Sequence, residues 1–291
     1  MWKMFDLKDK NTSFSHRHRL NCGGKILDLE SPKVMGVLNV TPDSFYDGGR
    51  FREGKVILDG VARMLEEGAS IIDIGAVSTK PHAVDVRENL EKARLLPVLK
   101  MVRKQFPEVI LSIYTFRANI ARICVDEGAG MINDISGGVF DPAMLDMVAK
   151  LNVPFVIMHI QGTPKNMQDN PHYDDVVKEV KDFLFGQAVK LKSLGKGDII
   201  IDPGFGFGKT VEHNFELLNR LDQFIHKDYP LMAGLSRKSM INRVLHTKPS
   251  EALNGTTVLN TIALLKGVNI LRVHDVKEAI EAIKLISYLG K

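Results

Sequence analysis

From Val34 onward, short apolar runs rich in β-branched residues alternate with longer segments of helical period. The runs are VMGVLN (34–39), SIIDIG (70–75), VILSI (109–113), GMINDI (130–135), PFVIMH (154–159), DIIID (198–202), PLMAG (230–234) and NILRVH (269–274). Between them lie stretches such as GKVILDGVARMLEEG and DPAMLDMVAKL, with apolar residues three and four apart. The last, VKEAIEAIKLISYL, puts Val276, Ile280, Ile283 and Ile286 on one stripe. Strand–helix alternation repeated eight times predicts an α/β fold whose parallel sheet closes into a (β/α)₈ barrel. An open doubly wound sheet is the structural alternative. Polar or Gly/Pro clusters follow several strands: Asn39 to Ser44, Asp202-Pro203-Gly204, Ser236 to Ser239, and Arg272-Val273-His274. In a barrel these strand ends converge on one face, where the active site sits.

The chain has 291 residues, and such a barrel needs about 250. The division expected is a loosely docked tail over residues 1–20 and a single barrel domain over 21–291. That domain opens with a short hairpin at 21–33, turning at Gly23-Gly24. His16 and His18 flank Arg17 on the tail and read as solvated surface. A net charge of +4 with no Lys/Arg block argues against a nucleic-acid partner. No apolar run approaches the ~18 residues of a membrane span, so no membrane partner is expected. The N-terminal stretch lacks the apolar centre of a signal peptide. Cys22 and Cys124 fall in no metal-spaced cluster and read as free thiols of a reducing compartment, so a cytoplasmic protein is expected.

General motifs fail on inspection. DPGFGFGKT (202–210) has Pro203 where a phosphate-binding loop needs its first glycine, and Lys209 where a dinucleotide fingerprint needs its third. GLSRK (234–238) lacks the second glycine of a nucleophile elbow.

A more specific pattern remains. VMGVLNVTPDSFYDGGRF (34–51), GASIIDIGAVSTKP (68–81), MINDISGG (131–138), MHIQGTPKNMQ (158–168), DPGFGFGKTVEHN (202–214), GLSRKSMI (234–241) and LRVHDV (271–276) resemble the signatures of dihydropteroate synthases, in that family's order. The resemblance spans roughly residues 21–290. It implies a (β/α)₈ barrel, a homodimer, and a magnesium-assisted transferase of folate synthesis. The implied reaction joins 6-hydroxymethyl-7,8-dihydropterin pyrophosphate to 4-aminobenzoate, releasing pyrophosphate and 7,8-dihydropteroate. Sulfonamides would compete for the aminobenzoate site.

The chemistry of that reaction sets what a site must offer. The breaking C–O bond loads negative charge on the leaving group and leaves the pterin methylene cation-like. By resemblance, Asp202 and Asn133 hold the pterin edge, with Met158 beside it. A carboxylate facing an amino-pyrimidinone can accept two parallel N–H bonds. Lys238 reaches the pterin and the aminobenzoate side. Arg272, His274 and Asn39 form the pyrophosphate pole, with Asn39 as the Mg²⁺ ligand. Thr79, Lys80, Pro81, Phe207 and Ser239 shape the aminobenzoate pocket. Lys238, Asp202, Arg272 and His274 are the residues that the resemblance casts as catalytic. Read without it, Asp202 is a turn aspartate before Pro203, Asn133 part of an Asn-Asp turn, Lys238 a solvated loop lysine, His274 a structural histidine and Phe207 core packing.

Two departures stand out. In SIYTFR (112–117) the family has an acidic residue where this chain has Tyr114. Tyrosine is larger and neutral, and it counts here as a pterin-site residue. The loop GAVSTKPHA keeps a positive charge at Lys80 without an arginine fork, and carries His82 where the family has glycine. Tyr114 favours a competing reading, a homologue that binds pterin with weak or no turnover. A related methyltransferase barrel, which handles no pyrophosphate, is disfavoured by the STKP, SRKS and RVH motifs.

Overall fold

The computed structural model describes residues 18–40, 50–77 and 86–289. It opens with an antiparallel pair, β1 (Arg19–Cys22) and β2 (Lys25–Asp28). Gly23 and Gly24 make the turn, both at positive φ (65° and 95°) that a side chain would resist. The pair begins two residues inside the expected tail. His18 is already buried, and its carbonyl accepts the Leu29 N–H at 2.9 Å. The reading of His18 as solvated surface is thus corrected: the polar sequence there hides a pairing partner.

Eight parallel strands follow: β3 (Lys33–Asn39), β4 (Ile71–Gly75), β5 (Ile110–Tyr114), β6 (Met131–Asp134), β7 (Phe155–Met158), β8 (Ile199–Asp202), β9 (Met232–Ala233) and β10 (Ile270–Val273). Each of the eight runs read from the sequence overlaps one of them; β3 starts one residue before its run and β5 ends one residue after its own. Between and after them lie α1 (Arg50–Glu66), α2 (Glu88–Gln105), α3 (Ala118–Asp126), α4 (Met144–Lys150), α5 (Val176–Ser193), α6 (Val211–Asn219), α7 (Ser239–Leu245), α8 (Leu253–Leu265) and α9 (Val276–Ser287). The sheet runs β8-β7-β6-β5-β4-β3-β10-β9. A parallel bridge between Ile201 and Leu231 joins its two ends, so the sheet is a barrel. Among the described residues, no helix is long and apolar enough to cross a membrane.

The two-residue period of a strand sorts side chains between lumen and helices. On β4, Ile72 and Ile74 join the core between strands and helices, while Ile71 points inward. On β5, Leu111 and Ile113 face out and Ile110 faces in. The inward set at the N-terminal end is Met35, Ile71, Ile110, Met131, Val156, Ile200, Met232 and Ile270, a continuous apolar layer. Leu20, Cys22, Leu27 and Leu29 of the hairpin region close it from below. Each such side chain contributes about 1.5–3 kcal/mol by leaving water. The next inward positions, two residues further along, are Val37, Asp73, Ser112, Asn133, Met158, Asp202, Gly234 and Arg272, five of them polar. One parity rule thus seals one end with hydrocarbon and lines the other with polar groups.

Candidate active site

At the C-terminal end, Tyr114, Asn133, Met158, Asp202, Phe205, Phe207, Gly234, Lys238 and Arg272 line one cavity. Seven of the residues expected from the sequence meet there: Tyr114, Asn133, Met158, Asp202, Phe207, Lys238 and Arg272.

Asp202 ends β8 and is buried. Its Oδ1 accepts the Gly204 N–H at 2.8 Å. Burial pushes its carboxyl up from the usual range, opposed by that N–H and by the Lys238, Arg272 and Lys209 cations. The loop beyond it is fixed by close approach. A Cβ on Gly204, at φ +72°, would lie 2.0 Å from the His159 carbonyl oxygen, so only glycine fits. Lys209 is buried in the same loop and donates to the Gly204 and Phe207 carbonyls, each at 3.0 Å, with His159 Nδ1 also at 3.0 Å. Burial brings Lys209 down to about 7. Nothing in its sequence context marked Lys209 as this anchor.

Lys238 precedes α7 and sets its Nζ 4.1 Å from the centre of the Phe207 ring, a cation–π contact. Burial and then Arg272 lower its pKa to about 8, against the pull of Asp202. Phe207 is therefore buried packing and cavity wall at once.

Arg272 leaves β10 inward. Its Nε donates to Asp73 Oδ2 at 2.7 Å, and its guanidinium lies 4.9 Å from the centre of the Tyr114 ring. Burial works against its charge, but Asp73, Tyr114 and Asp202 outweigh it and raise the pKa. Tyr114 ends β5, is 7% exposed, and packs against Gly75, its partner on β4. A Cβ on Gly75 would touch the Tyr114 ring at 3.4 Å. The phenol thus occupies a slot that a smaller side chain would leave open to the cavity.

His274 does not line the cavity and is in part exposed to solvent. Its Nδ1 is 3.0 Å from Ser236 Oγ, and its backbone N–H donates to the same oxygen at 3.1 Å. Protein crowding the rest of the ring, and then Arg272, hold its pKa at about 4, so the imidazole is neutral near pH 7. Arg237 sits at φ 55°, unusual outside glycine, and is held by a two-pronged pair to Asp275 at 2.9 and 2.6 Å. That pair ties the loop after β9 to the loop after β10.

Ser239, exposed as the first residue of α7, and Asn39, exposed at the end of β3, do not line the cavity. Thr79, Lys80 and Pro81, like His82 and Thr41 to Ser44, lie outside the described residues. Among the described residues, no three His, Cys, Asp or Glu side chains converge as a metal cage.

The lining combines three kinds of group. Asp202 and Asn133 offer acceptors, Lys238 and Arg272 offer cations, and Met158, Phe205, Phe207 and Tyr114 supply apolar faces. Such a lining can accept N–H donors, pair with an anionic group and pack against a flat ring.

Comparison with known proteins is consistent with such a lining. Residues 35–274 match the model of the family described as pterin binding enzyme. The dihydropteroate synthase of Escherichia coli is 42% identical over 273 residues, covering 92% of this chain and 95% of its own. The Xanthomonas albilineans dihydropteroate synthase solved with 4-aminobenzoic acid superposes with a TM-score of 0.86 at 39% identity, covering 94% of this chain and 98% of its own. The Yersinia pestis enzyme in complex with a sulfonamide drug superposes with a TM-score of 0.86 at 40% identity, covering 94% and 99%.

Proposed function

The chain belongs to the pterin-binding enzyme family of the dihydropteroate synthases, and on that premise we propose that it joins 6-hydroxymethyl-7,8-dihydropterin pyrophosphate to 4-aminobenzoate. It is a transferase. The observation that carries the reading is the cavity lining: buried acceptors Asp202 and Asn133, the cations Lys238 and Arg272, and apolar rings.

In this reading Asp202 accepts two N–H bonds from the amino-pyrimidinone edge, with Asn133 beside it. Met158 and Phe207 enclose the ring. Lys238 donates to the pterin and flanks the entering amine. The amine nitrogen forms the new C–N bond at the pterin methylene while the C–O bond breaks. Pyrophosphate leaves with the electron pair, and the amine proton passes to solvent. Arg272 supports the leaving group as a fixed cation. His274, neutral at pH 7, serves it as a hydrogen-bond donor through Nε2, since Nδ1 is engaged by Ser236.

Magnesium fits as a metal carried by the pyrophosphate. Asn39 offers one hard oxygen at the mouth, and Mg²⁺ commonly takes one or two protein oxygens and fills its shell with phosphate and water. It would neutralise charge on the leaving group. Ser239, with Thr79, Lys80 and Pro81, would border the aminobenzoate, where sulfonamides compete. The exposed face of α8, with Val258 and Leu265, together with Val244 and Leu245 at the end of α7, supports a homodimer. Buried free thiols at Cys22 and Cys124 support a cytoplasmic location.

Pyrophosphate release tests the reading. Release that requires both the pterin pyrophosphate and 4-aminobenzoate, and that drops on chelation while bare-pterin binding persists, is the expected result. Pterin binding without release would favour the alternative that Tyr114 suggests, a pterin-binding homologue with little turnover.

A further inference from the structure

Asp73 sits mid-strand on β4, fully buried, and does not line the cavity. Its oxygens nonetheless collect three donors from three other strands. Ser112 Oγ donates to Oδ1 at 2.6 Å, and Asn133 Nδ2 and Arg272 Nε donate to Oδ2 at 3.0 and 2.7 Å. Two of these donors belong to cavity residues.

The consequence lies in the asymmetry of an amide. An asparagine in a cavity wall can present either its carbonyl or its amino end, with nearly the same shape. An ionised carboxylate accepts and cannot donate. Asp73, whose oxygens already accept from Ser112 and Arg272, therefore claims the amino end of Asn133 and leaves the carbonyl oxygen as the end available to a ligand.

We propose that Asp73 is a positioning residue that fixes Asn133 as a hydrogen-bond acceptor, and so makes the site choose a 2-amino-4-oxo ring over its 2,4-dioxo counterpart. The inference rests on the pterin reading given above. A ring amine finds an acceptor at Asn133. A carbonyl in its place faces a carbonyl, leaving both without a donor. Arg272, held by the same carboxylate, is kept over Tyr114 rather than free to swing toward the ligand's ring.

Calorimetry of the full-length protein with 6-hydroxymethylpterin and 6-hydroxymethyllumazine tests this. The wild type prefers the pterin. In Asp73→Asn the new amide can donate to Asn133 and turn it around, so the preference narrows at least tenfold. Asn133→Ala narrows it similarly, and the double variant narrows it no further. A structural role alone would weaken both ligands equally, and an unchanged ratio in a folded Asp73→Asn protein overturns the proposal. Should that variant fail to fold, neutron diffraction of wild-type crystals with bound pterin decides. Deuterons of the Asn133 amide directed at Asp73 support the proposal, and deuterons directed at the ligand overturn it. If the wild type binds neither ring, the pterin reading itself fails and the proposal falls with it. If it binds pterin and the ratio holds through the variants, only the role of Asp73 fails.

Discussion

Ile110 and Tyr114 share strand β5, both point into the barrel, and stand about 13 Å apart. Ile110 belongs to the apolar layer that the hairpin seals. Tyr114 belongs to the layer where Asp202, Lys238 and Arg272 gather. The backbone pattern is the same at both ends, so the difference is one of side chains alone. Below, every neighbour is hydrocarbon, and substitution changes stability. Above, the neighbours are charged and partnered, and substitution changes what the molecule binds or turns over.

The largest test of that division pairs Ile200 with Asp202 on β8. Ile200→Ala should cost about 2–5 kcal/mol of stability through the lost contacts and the cavity left behind. It should leave pterin affinity unchanged. Asp202→Ala should weaken pterin binding at least tenfold, with a smaller change in stability, because ligand N–H groups lose their acceptor. Denaturant titration and calorimetry on both variants decide it. A large affinity loss in Ile200→Ala would break the division.

Next comes the same substitution placed at both ends of β5. Ile110→Asp buries an unpaired carboxylate and should prevent folding. Tyr114→Asp places a carboxylate within reach of Arg272 and of the cation forming on the pterin. It should raise kcat/KM about ten- to a thousandfold, the range that follows from ~1.4–4 kcal/mol of transition-state stabilisation. Steady-state kinetics at fixed magnesium and pH measure this. Equal or lower kcat/KM in a folded Tyr114→Asp protein would show that the site has adapted to the phenol.

The smallest test is titration. Lys238, lowered to about 8, is charged well below that pH and loses its proton as pH rises through it. kcat/KM should therefore fall on the alkaline side with a midpoint near 8, approaching tenfold per unit, and Lys238→Arg should remove that limb. Stability moves the other way. The unfolded lysine keeps its proton to about 10.5, so between the two values the unfolded chain binds more protons and folding gains with pH. The loss in Ile200→Ala should show no such limb, because its layer carries no ionisable side chain outside Cys22, whose burial pushes it to about 12.

What the sequence discloses follows from the same geometry. Strands read well because each carries at least two adjacent apolar residues, and β7 and β8 carry three or more. Even the two-residue β9 lies within the run PLMAG. Cavity residues at strand ends, such as Asp202 and Arg272, stand out as polar punctuation beside Gly, Pro or charge. Asp73 and Ser112 were passed over because each sits inside an apolar run, and only the pairing of inward positions across β4, β5, β6 and β10 gives them one partner set. Their signal was the parity: a polar residue two positions beyond an inward isoleucine. Lys209 carries no such signal, since its partners are backbone carbonyls of its own loop and of His159. The start of β1 falls outside the hairpin expected at 21–33 because Arg19 and Leu20 look like tail until paired with Asp28 and Leu27.

The bridge between Ile201 and Leu231 closes the barrel through a strand, β9, of only two residues. That makes it the part of the ring with fewest hydrogen bonds to break, and local opening follows the weakest such unit. Backbone amides flanking it, including Ile201 and Met232, should exchange with deuterium faster than those of β4 and β5. Asp202 stands on one side of this joint and Lys238 on the other, so a ring gripped by both would bind the two sides together. Hydrogen exchange in the presence of 6-hydroxymethylpterin should then slow most around this joint, making the ligand part of what keeps the circle shut.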